Sequence, residues 1–236
     1  MIKTVMFDLD GTLLPLFQED FVKVYFGLLC KKLAPLGYQP DDTVKAIWAG
    51  TKGMVKNDGS RINEEIFWEV FREMQKGLPD AKPFCDEFYT NEFDGVKSVL
   101  KYQVSRRALI DKLKAAGLRL VLATNPVFPT DAFKTRLKWV GLDYSDFEYV
   151  TDYSNSSFCK PNPEYYKEIM EKLSLDPSEC LMIGNNVTED MAAAQTGMSV
   201  FLVPEFLENP NELDYSEFAQ GTLDEAVEHA LKLAGK

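Results

Sequence analysis

Three observations predict an α/β fold, a doubly wound parallel sheet with a helical domain inserted after its first strand. Short apolar runs recur without strict alternation, the pattern of strands buried on both faces. Helical patterns separate the later runs, which implies right-handed crossovers between parallel strands. One long interval, from about Leu16 to Asp94, holds no convincing strand and reads as helical.

The first expected strand is TVMFD, Thr4 to Asp8, and the stretch FDLDGTLL closes it with two carboxylates two residues apart and then a glycine. The segments FQEDFVKVYFGLLCKKLAPLG, PDDTVKAIWAG and RINEEIFWEVFREMQKGL come next and read as amphipathic helices parted by Gly, Pro and Asn breaks. They define an inserted helical domain, 16–95, within an α/β domain made of 1–15 and 96–236. Phe67, Trp68 and Phe71 fall at helical spacing and read as core rather than as a stacking platform. Four further strands are expected: LRLVLAT (Leu118 to Thr124), FEYVT (Phe147 to Thr151), CLMIG (Cys180 to Gly184) and SVFLV (Ser199 to Val203). Between them lie the helical patterns FPTDAFKTRLKWV, NPEYYKEIMEKL and TEDMAAAQTG, the last with a glycine stop.

At 236 residues and 45% hydrophobic, the chain has enough apolar material for a substantial core. Its formal charge of -11 argues against nucleic acid or an anionic membrane surface as partner, because the long-range field repels both. An anionic small substrate then needs a local cationic pocket. No segment approaches the ~20 apolar residues of a membrane span and the N-terminus lacks a leader-like cleavage site, so a cytoplasmic protein, monomer or homodimer, is expected. Cys30, Cys85, Cys159 and Cys180 are far apart and form no CxxC pair, which reads as reduced, buried thiols. The single histidine, His229, sits in an expected C-terminal helix, so triads with a histidine base are all but excluded and any chemistry must run on carboxylates.

Ligands of an open parallel sheet bind outside the carboxyl ends of its strands. Asp8 and Asp10 follow the first strand, and Thr124 and Asn125 the second. Lys160 lies in the loop beyond the third, and Asn185, Asn186, Glu189 and Asp190 follow the fourth. Carboxylates, a hydroxyl, a lysine and carboxamides at one sheet edge describe a site for a divalent cation and an anionic ligand.

In order and spacing these residues resemble the haloacid dehalogenase superfamily, with FDLDGTLL as its first motif, ATN its second, the lysine of CKPNP its third and IGNNVTED its fourth. The resemblance covers nearly the whole chain. It implies a Rossmann-like core, a helical cap between the first two motifs, and a phosphohydrolase that acts on a small phosphorylated metabolite with Mg²⁺. In that frame Asp8 is the nucleophile that forms an aspartyl phosphate, and Asp10 is the general acid and then the base. Dehalogenases of the superfamily lack the second aspartate, which this sequence retains. Acid duty near neutral pH requires a pKa well above the ordinary ~3.9 of aspartic acid. Thr124 and Asn125 are expected to bind the phosphoryl group, Lys160 to neutralise it, and Thr12 to orient its loop. The metal is expected at Asp8, the carbonyl of Asp10, Asn185 and Asp190.

The fourth motif departs from the pattern: an acid usually follows its glycine, and Asn185 stands there instead. An asparagine still offers a carbonyl oxygen but removes one negative charge, so a weaker Mg²⁺ site is expected. Glu189 either compensates or faces solvent. Two alternatives share these motifs, a sugar-phosphate phosphomutase and a weakened protein that only binds a ligand or protein partner. Lys52, Lys56 and Arg61 either contact the substrate or form a solvated loop.

Overall fold

The computed structural model describes all residues, Met1–Lys236. Six parallel strands form one sheet in the order β3-β2-β1-β4-β5-β6, with β1 at Thr4–Phe7, β2 at Arg119–Leu122, β3 at Tyr149–Val150, β4 at Cys180–Gly184, β5 at Ser199–Leu202 and β6 at Ala219–Gln220. Five coincide with the expected runs, although β3 shrinks to two residues. The sixth is an exposed edge pair, Ala219 and Gln220, which carries no apolar signal to read.

Strand β1 explains why its run does not alternate. Val5 and Phe7 join a 45-residue apolar cluster on one face, while Met6 joins a 12-residue cluster with Val121, Tyr165, Tyr166 and Met182 on the other. Successive side chains point to opposite faces, so a strand covered on both sides is apolar throughout. Strand β1 pairs with β2 on one side and β4 on the other, Val5 lying opposite Leu120 and Leu181. Sequence order reverses around β1, and the crevice at such a switch point is where open α/β sheets take their ligands.

Between β1 and β2 lie α1 (Gln18–Leu33), α2 (Pro40–Val55), α3 (Asn63–Met74) and α4 (Lys82–Asn91), followed by a 3-10 run, Phe93–Val99, that spans position 95. Phe21, Tyr25, Phe71, Phe88 and Phe93 from this region belong to the same large cluster as Phe7 and Leu122 of the sheet, so one apolar core runs through both. Phe67 is half-buried and stacks beside Phe71, with Trp68 edge-on, as expected of core aromatics.

Helices α6 (Thr130–Trp139) and α7 (Pro163–Leu173) occupy their expected places. Two assignments change. Helix α5, Arg107–Ala115, buries Ile110 and Leu113 before β2 and was hidden by its short apolar stripe. The segment TEDMAAAQTG forms 3-10 turns at Met191–Thr196 rather than an α-helix. Asp190 is pinned at its start and Gly197, at φ 93°, stops it, which leaves a run too short to favour regular α geometry. The C-terminal helix α8, Leu223–Leu233, begins at a capping box of Thr222 and Glu225 and carries His229 away from the crevice. All four cysteines are free and buried. No helix is long and apolar enough to cross a membrane.

Candidate active site

Asp8 and Asp10 leave the carboxyl end of β1 beside the ends of β2 and β4. The ammonium of Lys160 is fully buried between two carboxylates, donating to Asp8 Oδ1 at 2.8 Å and Asp190 Oδ1 at 2.6 Å. Burial would lower the pKa of this lysine, but Asp190 and Asp8 outweigh it and hold the ammonium well above the usual lysine range. Asp190 is pushed up to about 6 by burial, against the pull of Lys160, and its other oxygen accepts from the backbone N–H of Asn186. That fold-back needs Gly184, since a Cβ there would lie 2.1 Å from Asp190 Oδ2.

Asp10 has a different setting. Its Oδ2 accepts from Arg136 Nη2 at 2.8 Å, whereas its Oδ1 is buried without a partner. Burial raises its pKa to about 6 even though Arg136 pulls it down.

Asn185 is held at both ends. Its Nδ2 donates to the Phe206 carbonyl at 2.6 Å, and its Oδ1 accepts from Thr12 Oγ1 at 3.2 Å. The amide packs on Gly11, whose φ of 76° favours glycine and where a Cβ would stand 2.1 Å from Nδ2. Thr12 thus ties the loop after β1 to the Asn185 amide. Asn125 donates to Glu189 Oε2 at 3.0 Å and leaves its own Oδ1 buried without a partner. Glu189 faces the crevice rather than solvent, with its pKa raised to about 7 by burial. Thr124 lines the same crevice, and its carbonyl accepts from the hydroxyls of Thr151 and Tyr165. Asn186 turns away from it, capping the N–H groups of Thr188 and Glu189 and donating to Glu208.

Four residues that sequence reasoning missed complete the site. Arg136 is fully buried, 5.0 to 5.1 Å from the rings of Phe21, Phe128 and Phe133, and two of its nitrogens lack partners. Its signal was available: Arg136 falls on the apolar face of α6 between Phe133 and Leu137, where a charge needs a reason. Glu208 lines the crevice with its pKa raised to about 7 by burial, held by Asn186 Nδ2 at 2.9 Å. Backbone bonds from Glu208 to Asn185 and from Val187 to Glu208 fix its place, and nothing in its loop composition marks it. Tyr165 and Tyr166 reach from α7 to the Thr124 and Glu189 carbonyls and so steady two of the strand-end loops. Lys52, Lys56 and Arg61 do not line the cavity, and Arg61 pairs with Glu65 and Glu69 on the surface.

Above these residues a cavity of about 350 Å³ extends between the four helices α1 to α4. A model of the haloacid dehalogenase-like hydrolase family matches residues 2–197. The chain belongs to that family. Among its haloacid dehalogenase-like relatives, the phosphatase YhcW of Bacillus subtilis, itself described as putative, is 32% identical over 86% of this chain and 84% of its own. A phosphoglycolate phosphatase of Nitrosospira multiformis is 26% identical over 86% and 83%. In fold, the chain is similar to a haloacid dehalogenase-like phosphatase from Thermococcus onnurineus, with a TM-score of 0.57 at 20% identity over 97% of each chain. The parallel sheet with its flanking helices is thus the fold of a haloacid dehalogenase-like hydrolase.

Proposed function

We propose that this enzyme is a Mg²⁺-dependent phosphohydrolase that frees a small phosphorylated metabolite of its phosphoryl group through an aspartyl phosphate on Asp8. The observation that carries the reading is the division of labour between two neighbouring aspartates. Asp8 is ion-paired to Lys160, whereas Asp10 is raised to about 6 with one carboxyl oxygen free.

An oxygen of Asp8 attacks phosphorus as the bond from phosphorus to the leaving oxygen breaks, and Asp10 gives that oxygen its proton. Asp10 then takes a proton from water as the water oxygen displaces Asp8 and releases phosphate. Arg136 occupies Asp10 Oδ2, so the proton travels on Oδ1. Lys160 offsets charge on the phosphoryl oxygens, and the hydroxyl of Thr124 and the amide of Asn125 meet the same group.

The donor set suits Mg²⁺, because it is all oxygen. Mg²⁺ is typically held by one or two carboxylates with water and substrate phosphate completing the shell. Asp8, Asp190, the Asp10 carbonyl and Asn185 Oδ1 would hold it, and the bound ion would supply positive charge beside the phosphoryl oxygens. In this reading 16–95 is a cap over a core of 1–15 and 96–236, because the cavity lies between its helices and the strand ends.

Phosphate release from p-nitrophenyl phosphate, with and without Mg²⁺, tests the proposal. Activity that needs Mg²⁺ and vanishes in Asp8→Asn is expected. Hydrolysis that persists in purified Asp8→Asn would refute the covalent route.

A further inference from the structure

We infer that the natural substrate is a phosphate monoester whose leaving group is uncharged and largely apolar. The inference rests on the phosphohydrolase reading and concerns what the cavity admits. The four inserted helices line it with Val22, Phe26, Leu29, Ile47, Phe67 and Phe71, among others, and none of them contributes a Lys, Arg, His, Asp or Glu. The hydroxyls of Tyr25 and Tyr89 bond each other at 2.6 Å, which leaves the pair one free O–H, a neutral donor and not a counter-ion. Gln18, Thr51, the Cys85 thiol and the indole N–H groups of Trp48 and Trp68 are the remaining polar groups that these helices offer, all uncharged; the Trp68 N–H is buried without a partner, and Gln18 lies with Trp48 and Val55 where the lining reaches solvent.

The charged end of the cavity has the wrong sign for a second anion. Asp8, Asp10, Glu189, Asp190 and Glu208 face Arg136 as the one cationic side chain in the lining. Arg136 already serves Asp10, and three aromatic rings enclose it, so its two free nitrogens are shut off from solvent. A carboxylate or second phosphate on the leaving group would be desolvated among apolar side chains without a counter-ion. An alkyl or aromatic body would gain its full burial there.

Benzyl phosphate and its 4-carboxy derivative test this directly, because they share leaving-oxygen chemistry and differ by one carboxylate. With Mg²⁺ and the full chain, kcat/KM for benzyl phosphate is expected to exceed that for the carboxylated ester by about a hundredfold or more. From ethyl to hexyl phosphate it should rise roughly fourfold per methylene until the cavity fills. Thr51→Arg should move the preference toward the carboxylated ester. Equal or better turnover of the carboxylated ester, or of 2-phosphoglycolate over benzyl phosphate, overturns the inference and leaves the phosphohydrolase reading intact. That outcome would make Arg136 the receptor for an anionic leaving group. If no ester turns over, the phosphohydrolase reading fails instead. Binding of the two benzyl esters to Asp8→Asn, followed by tryptophan fluorescence, then decides the cavity's preference: tighter benzyl phosphate supports it, and tighter carboxylated ester overturns it.

Discussion

Replacing Asn185 by aspartate sets two effects against each other. The wild-type amide donates to the Phe206 carbonyl at 2.6 Å, a bond that a carboxylate cannot make. The substitution leaves a buried carbonyl facing an anion, at a cost of about 1–3 kcal/mol, offset in part by a stronger bond from Thr12. For a chain of this length, a kcal/mol moves Tm by roughly 2–4 °C, so metal-free Asn185→Asp should melt about 2–12 °C below wild type. The new carboxylate returns the charge that the site lacks. A carboxylate and a divalent ion at ~4 Å in an effective dielectric near ~20 attract by about 8 kcal/mol, most of it lost to desolvation, which leaves Mg²⁺ affinity about tenfold tighter. That gain should enlarge the Mg²⁺-induced rise in Tm by about 3–6 °C at saturating-range metal. Thermal melts of both proteins across a Mg²⁺ titration measure both terms. An unchanged metal-free Tm would show that the amide does not hold the Phe206 loop, and an equal or smaller Mg²⁺ increment would refute the charge deficit.

Three further outcomes are expected. Lys160→Met leaves Asp8 and Asp190 buried without their shared cation, so it should lower stability by about 3–5 kcal/mol and turnover at least about a hundredfold, and a Tm near wild type would contradict the pairing. Gly184→Ala drives a methyl into Asp190 and should abolish the Mg²⁺-dependent rise in Tm, whereas a full metal response would show that Asp190 need not fold back. Asp146 accepts from Arg107 and Lys114, and those bonds hold its pKa below the usual carboxylate range. Its stabilisation is present above its unfolded pKa of ~3.9 and is lost as pH falls through the depressed folded value. Asp146→Asn should therefore cost about 1–3 kcal/mol at pH 7 and progressively less below about pH 4 in urea melts.

The sheet was legible because both faces of β1, β2 and β4 are covered, which turns burial directly into apolar runs. Strand β6 was not, since an exposed edge pair is held by backbone bonds that leave no trace in side-chain character. The candidate site was legible where a residue sits a short step past a strand, as Asp8, Asp10, Thr124 and Asp190 do. Lys160 was found by its order among the motifs, but its bridge between Asp8 and Asp190 depends on where three separate loops end. Glu208 escaped because its place is set by pairing with the loop after β4, a long-range register that composition does not encode. Arg136 escaped for a more avoidable reason: one charged side chain on an apolar helical stripe was read as an ordinary part of the helix.

The single core shared by sheet and inserted helices bears on how this enzyme can change. Tyr25, Leu29, Leu33, Ile47, Phe71, Cys85 and Tyr89 belong to the large apolar cluster and also line the cavity. Each is a wall of the cavity on one side and a keystone of the fold on the other. Shortening one to admit a bulkier ligand removes packing that costs about 2–5 kcal/mol, a large part of the margin that keeps a domain folded. New substrates are therefore most accessible through Gln18, Trp48 and Val55 at the rim, where solvent already touches the side chain and selection can explore without threatening the molecule's survival.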